Sequence, residues 1–111
     1  MNDEKIKEIV MQFVAEARKI YGNTLRDIFL YGSCARGDFR QDSDIDLMIL
    51  LDIPEENIND ERKKILEISD YLDRSSDVVL TPVFQSYNQF HKYMPVSAFY
   101  QNVLKEGIKY A

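Results

Sequence analysis

Apolar positions follow two rhythms along this chain. Ile6, Ile9, Val10, Phe13, Val14, Ala17 and Ile20 recur at helical spacing, with Asp3 placed to cap the start and Gly22 to end it, so a long amphipathic helix opens the chain. Leu25 to Tyr31 then reads as a strand. Leu47 to Leu51 is a near-continuous apolar run, as expected of a strand covered on both faces. After Pro54 the helical period returns in Ile58, Ile65, Leu66, Ile68 and Leu72, while Glu61, Arg62, Lys63, Lys64 and Glu67 mark a solvated face. Asp77 to Val83 predicts a third strand ending around Pro82. Ser86-x-x-Gln89 reads as a capping box. Val96 to Glu106 predicts a last helix stopped by Gly107, and Ile108-Lys109-Tyr110 a short edge strand.

Composition sharpens this picture only a little. The 111 residues hold one core, residues 1–111 being expected as a single domain, and 45% apolar residues with seven Tyr and six Phe are ample to fill it. The apolar run at 47–51 is far short of the ~20 residues of a membrane helix, and the amino terminus is charged, so a cytoplasmic protein with no membrane partner is expected. A single cysteine, Cys34, excludes an internal disulfide and agrees with a reducing compartment. The net charge of −5 argues against direct nucleic-acid binding, which depends on clustered Lys and Arg.

The informative chemistry lies between the first two strands. Gly32-Ser33 follows the first strand, and Asp44-Ile45-Asp46 opens the second after ten intervening residues. Period two puts both carboxylates on one side of the strand. Two such groups repel at the end of a buried strand unless a cation compensates, and hard oxygen ligands suit magnesium or manganese. The loop supplies the anion side: Gly32 lets backbone approach a phosphate, Ser33 offers a hydroxyl and an N–H, a short helix is expected to open near Cys34, and Arg36 can add a bidentate phosphate contact. Either dipeptide alone would be an ordinary turn. The ordered set of strand, Gly-Ser turn and Asp-x-Asp strand is more specific. Cys34 and His91 make no convincing nucleophile and base, because they fall in unrelated elements with no third group to orient them. The aromatic residues of the last third, Tyr87, Phe90, Tyr93, Phe99, Tyr100 and Tyr110, read first as core or interface.

These residues resemble the signature of the DNA polymerase beta-like nucleotidyltransferase superfamily, and the short length resembles its minimal nucleotidyltransferase branch, which includes MntA-type antitoxins paired with HEPN toxins. The resemblance is close over Leu25 to Leu51 and looser elsewhere. It implies an α/β (α+β) fold, a small mixed sheet of three to four strands with helices packed on one side and an open active-site face. Carried over by position, it implies that Gly32 and Ser33 hold a triphosphate, with Arg36 nearby, and that Asp44 and Asp46 bind two divalent ions, Mg2+ or alternatively Mn2+. The family's third carboxylate lies near the start of a neighbouring strand, where Asp77 is the candidate; Asp77 reads equally as a turn or helix-capping residue.

The activity so implied is two-metal phosphoryl transfer, with AMP moving from ATP to a tyrosine of a HEPN ribonuclease toxin that the modification silences, as in a type VII-like toxin–antitoxin pair. Two other readings stay open at this stage. The fold could block a HEPN partner by occlusion alone, although an intact motif counts against that. It could also modify a small molecule such as an aminoglycoside, for which this short chain would build only a shallow pocket.

Overall fold

The computed structural model describes residues 2–76 and 78–111 of the chain. A 19-residue helix, α1 (Asp3–Tyr21), leads through one 3-10 turn into β1 (Leu25–Tyr31). A single helical turn, α2 (Ser33–Arg36), and a loop bring the chain to β2 (Ile45–Leu51). The long helix α3 (Ile58–Ser76) crosses to β3 (Leu80–Ser86), followed by α4 (Tyr87–Tyr93), α5 (Ala98–Glu106) and β4 (Ile108–Lys109). The strands form one mixed sheet in the order β3-β2-β1-β4. β2 pairs antiparallel with β1 and parallel with β3, the latter connection needing the α3 crossover, and β4 adds an antiparallel edge to β1. None of the described helices is long and apolar enough to cross a membrane.

Alternation along the strands divides the interior in two. Ile28 and Leu30 of β1, Ile45, Leu47, Ile49 and Leu51 of β2, and Leu80 and Phe84 of β3 face α1 and α3, meeting Ile9, Val10, Phe13 and Ile65. Phe29, Met48 and Leu50 point the other way, against Phe90 of α4 and Val103 of α5. Helices therefore cover both faces. The two long ones lie together on one side as expected, but the short carboxyl-terminal pair sits on the opposite side, because the second apolar face of β2 also needs cover.

Local details depart from expectation in four places. The cap of α1 is Asn2, whose side chain accepts from Lys5 N at 2.8 Å, while Asp3 is the first helical residue, where a carboxylate suits the positive helix end. Leu66 is exposed on α3; the helix seats itself on Ile58, Ile65 and Leu72 instead. β3 begins at Leu80 and runs through Pro82 to Ser86, since an edge strand tolerates the missing N–H on its outer side. α5 starts at Ala98, capped by Ser97 Oγ, which accepts from Tyr100 N at 3.1 Å. Ser86 does cap α4, accepting from Gln89 N. Gly107 ends α5 because a Cβ there would run into the Val103 carbonyl oxygen.

Candidate active site

β1 delivers Tyr31 to the sheet end, and the chain then turns sharply at Gly32, whose φ is +76°. The Gly32 carbonyl accepts from the N–H groups of Ala35 and Arg36, both at 3.1 Å, and the Ser33 carbonyl from Gly37 N at 2.9 Å. That closes α2 and leaves the Ser33 and Cys34 N–H groups without intrahelical partners. Antiparallel pairing places Asp46 directly beside Tyr31. Gly32 consequently packs against the Asp46 carboxylate so tightly that a Cβ would lie 2.5 Å from Oδ2. Sequence and structure agree here for a physical reason: both the dihedral and the contact demand glycine.

Asp44 lies exposed just before β2, and its carbonyl accepts a bond from Cys34 Sγ at 3.4 Å, tying the two loops together. The electrostatics bind the group further. Burial first and the Asp44 charge second push the Asp46 carboxyl above the usual carboxylate range, while Arg36 pulls it back. Burial and Asp46 push the Tyr31 phenol up to about 12. The Cys34 thiol is likewise raised, chiefly by burial, so it stays protonated and unreactive. Cys34 packs in the α1 side of the core while His91 is exposed on α4, stacked against Tyr87 with centroids 4.4 Å apart. They form no dyad.

Arg36 stands at the rim, engaged twice: Nε meets Asp38 Oδ2 at 3.3 Å, and an Nη meets Glu106 Oε2 of α5 at 3.6 Å. Between this arginine and α5 is a cavity of about 240 Å³ lined by Tyr31, Gly32, Arg36, Phe99, Asn102 and Glu106, among others. A larger hollow of about 560 Å³ lies between α1 and α3, on the far side of the sheet from Asp46, and touches none of these groups.

Gly32, Ser33, Arg36, Asp44 and Asp46 thus converge, whereas Asp77 lies outside the described residues. Asp73, at the last turns of α3, is a carboxylate the sequence reading missed. Its Oδ1 accepts from Leu80 N at 2.7 Å, and burial, then Asp70 and Asp44, raise its proton affinity. It fastens the α3–β3 turn, and nothing in the sequence marks it apart from the neighbouring helical acids. Asn102 and Glu106 were also missed, because they look like the solvated side of a terminal helix.

Two mutually repelling hard-oxygen donors beside a Gly-Ser turn fit half of a magnesium site. Among the described residues no cluster of three or more His, Cys, Asp or Glu stands ready to hold a metal.

Comparison with known proteins agrees with this fold. Residues 10–110 match the nucleotidyltransferase domain family. A protein of Methanocaldococcus jannaschii named as a candidate protein adenylyltransferase is 34% identical over 107 residues, covering 96% of each chain. Among solved structures, a candidate minimal nucleotidyltransferase superposes with a TM-score of 0.63 at 19% identity, covering 97% of this chain and 95% of its own. A toxin–antitoxin crystal structure with AMP-PNP gives a TM-score of 0.55 at 19% identity, covering 98% of this chain and 72% of the other. At those identities the two structures speak for the fold. The family match over most of the chain and the 34% identical relative go further: the chain belongs to the nucleotidyltransferase domain family.

Proposed function

We propose that this protein is a magnesium-dependent nucleotidyltransferase that moves AMP from ATP to a tyrosine hydroxyl of a HEPN ribonuclease, acting as its antitoxin in the cytoplasm. The observation that carries the reading is the packing of Gly32 on the Asp46 carboxylate, which supports a phosphate-binding turn beside one of the two carboxylates proposed to hold metal. The adenylyltransferase relative supports a protein acceptor, and the toxin–antitoxin neighbour supports the antitoxin role.

In this reading Gly32 admits the triphosphate to the backbone and Ser33 orients it through its hydroxyl and N–H. Arg36 exchanges Asp38 and Glu106 for phosphate oxygens, an exchange that exposed pairs of this kind resist weakly. Asp44 and Asp46 would hold magnesium, which supplies neutralisation of the triphosphate charge and acidification of the acceptor hydroxyl. Asp77 is assigned as the third carboxylate, whose part would be to help polarise the acceptor hydroxyl. The acceptor oxygen attacks the α-phosphorus, the bond from that phosphorus to the bridging oxygen breaks, and pyrophosphate leaves as the hydroxyl proton is lost. The half-buried Asp46, with its raised proton affinity, must be ionised to hold a cation, so a bound cation would favour the working charge state.

The test is intact-mass spectrometry of a HEPN partner after incubation with this protein, ATP and magnesium. The partner should gain one or more AMP groups with wild type and none with Asp44→Asn. Silencing of the ribonuclease by Asp44→Asn at equal concentration, with no adduct from wild type, would establish occlusion instead.

A further inference from the structure

We infer that the cavity between the end of β1 and the inner face of α5 is the nucleoside subsite, with the base against the Phe99 ring and the Asn102 carboxamide at the base edge. The inference rests on the reading that the Gly32-Ser33 turn holds a triphosphate, because the cavity shares Gly32 and Arg36 with that turn. Its volume of about 240 Å³ is below the roughly 300–1,000 Å³ of pockets that enclose a whole drug-sized ligand. It suits the nucleoside half of a nucleotide whose phosphates lie outside it.

The lining has the chemistry such an occupant requires. Phe99, Asn102, Val103 and Glu106 recur at three- and four-residue spacing, so they share one face of α5. Val103, 1% exposed, anchors that face to the sheet. Phe99 is 46% exposed although its edge is held by Tyr31, with ring centroids 5.5 Å apart and planes at 69°. A half-exposed ring steadied by Tyr31 and by the Tyr100 ring, 5.7 Å away, is a ready stacking platform, and every nucleobase has a flat face to place on it. Asn102 is exposed and, among the described residues, its carboxamide has no hydrogen-bond partner, leaving a donor and an acceptor for a base edge. Glu106 lines the same cavity and, once Arg36 turns from it to the phosphates, offers an acceptor to ribose hydroxyls.

Calorimetric titration with magnesium and either a nonhydrolysable ATP analogue or inorganic tripolyphosphate separates the two halves of the ligand. Phe99→Ala should weaken the analogue about tenfold and leave tripolyphosphate unchanged, since one base–aromatic stack is worth about that factor. Asn102→Ala, at an exposed position where the carboxamide has no hydrogen bond to lose among the described residues, should weaken the analogue about threefold or more in the same selective way. Unchanged analogue affinity in both variants would overturn the nucleoside assignment while leaving the phosphate reading intact, as would a Phe99→Ala effect confined to the KM for a protein acceptor. Failure of wild type to bind either ligand would overturn both together.

Discussion

Gly32→Ala is the perturbation whose outcome follows most directly from geometry. The substitution meets two separate obstacles. A φ of +76° with ψ −157°, a combination essentially confined to glycine, costs an L-residue roughly 1–3 kcal/mol. The new methyl would also lie 2.5 Å from Asp46 Oδ2, a separation that the carboxylate can relieve only by leaving its rotamer, at about 0.5–1.5 kcal/mol. Together these come to about 1.5–4.5 kcal/mol. With roughly 2.1 cal/mol/K of unfolding entropy per residue, 111 residues lose about 4 °C of Tm per kcal/mol, so Gly32→Ala should melt about 6–18 °C lower than wild type. Removing the carboxylate deletes the second obstacle alone. In an Asp46→Ala background the same glycine substitution should therefore cost only about 1–3 kcal/mol, giving a coupling of about 1 kcal/mol in the double-mutant cycle. Thermal melts of the four proteins, without magnesium and at one pH, measure it. An equal loss from Gly32→Ala in both backgrounds would refute the contact.

Three further outcomes are expected. Because burial and Asp44 raise the Asp46 carboxyl in the folded state, its ionised form opposes folding above that raised value; metal-free Asp46→Asn should melt higher than wild type near neutral pH, with the advantage fading as pH falls through the carboxylate range. Magnesium should raise the wild-type Tm and not the variant's, and a variant less stable at neutral pH would contradict the electrostatics. Tyr21→Phe removes a hydroxyl that donates to the Glu61 carbonyl at 2.6 Å and joins the end of α1 to α3, so it should cost about 1–2 kcal/mol in urea unfolding with AMP transfer retained. Asp77→Ala should lower turnover far more than nucleotide affinity, a split that steady-state kinetics and calorimetry together detect; unaltered turnover would leave Asp77 a turn residue.

The elements with strong periodicity were readable from the chain, and the relations between them were not. Every apolar position marked on α1 is buried except Ile20, which is half-buried, because a 19-residue amphipathic helix has one way to hide its stripe. The Gly-Ser turn and the Asp-x-Asp pair were visible as an ordered set. Their contact depends on Tyr31 standing opposite Asp46, a register that emerges only when two strands pair. The unbroken run at Leu47–Leu51 already signalled cover on both faces; what local pattern could not say was that Phe90 and Val103, on two short helices, would supply the second layer. Asp73, Asn102 and Glu106 escaped notice because a polar residue on a helix has the same local appearance whether it faces water, a neighbouring turn or a cavity.

Asp46 has Ile45 and Leu47 as immediate neighbours, both completely buried on the opposite side of the sheet. Sliding β2 by one residue against β1 would turn the carboxylate inward against α1 and α3 and push two core side chains out, a change no folded chain of this composition could tolerate. The precision with which Asp46 is placed is therefore inherited from the insolubility of its flanking residues in water. Substitutions elsewhere can loosen the helices or shorten the loops without detuning Asp46, so long as the strand keeps its place. The rim around this carboxylate can therefore change while Asp46 stays where the core holds it.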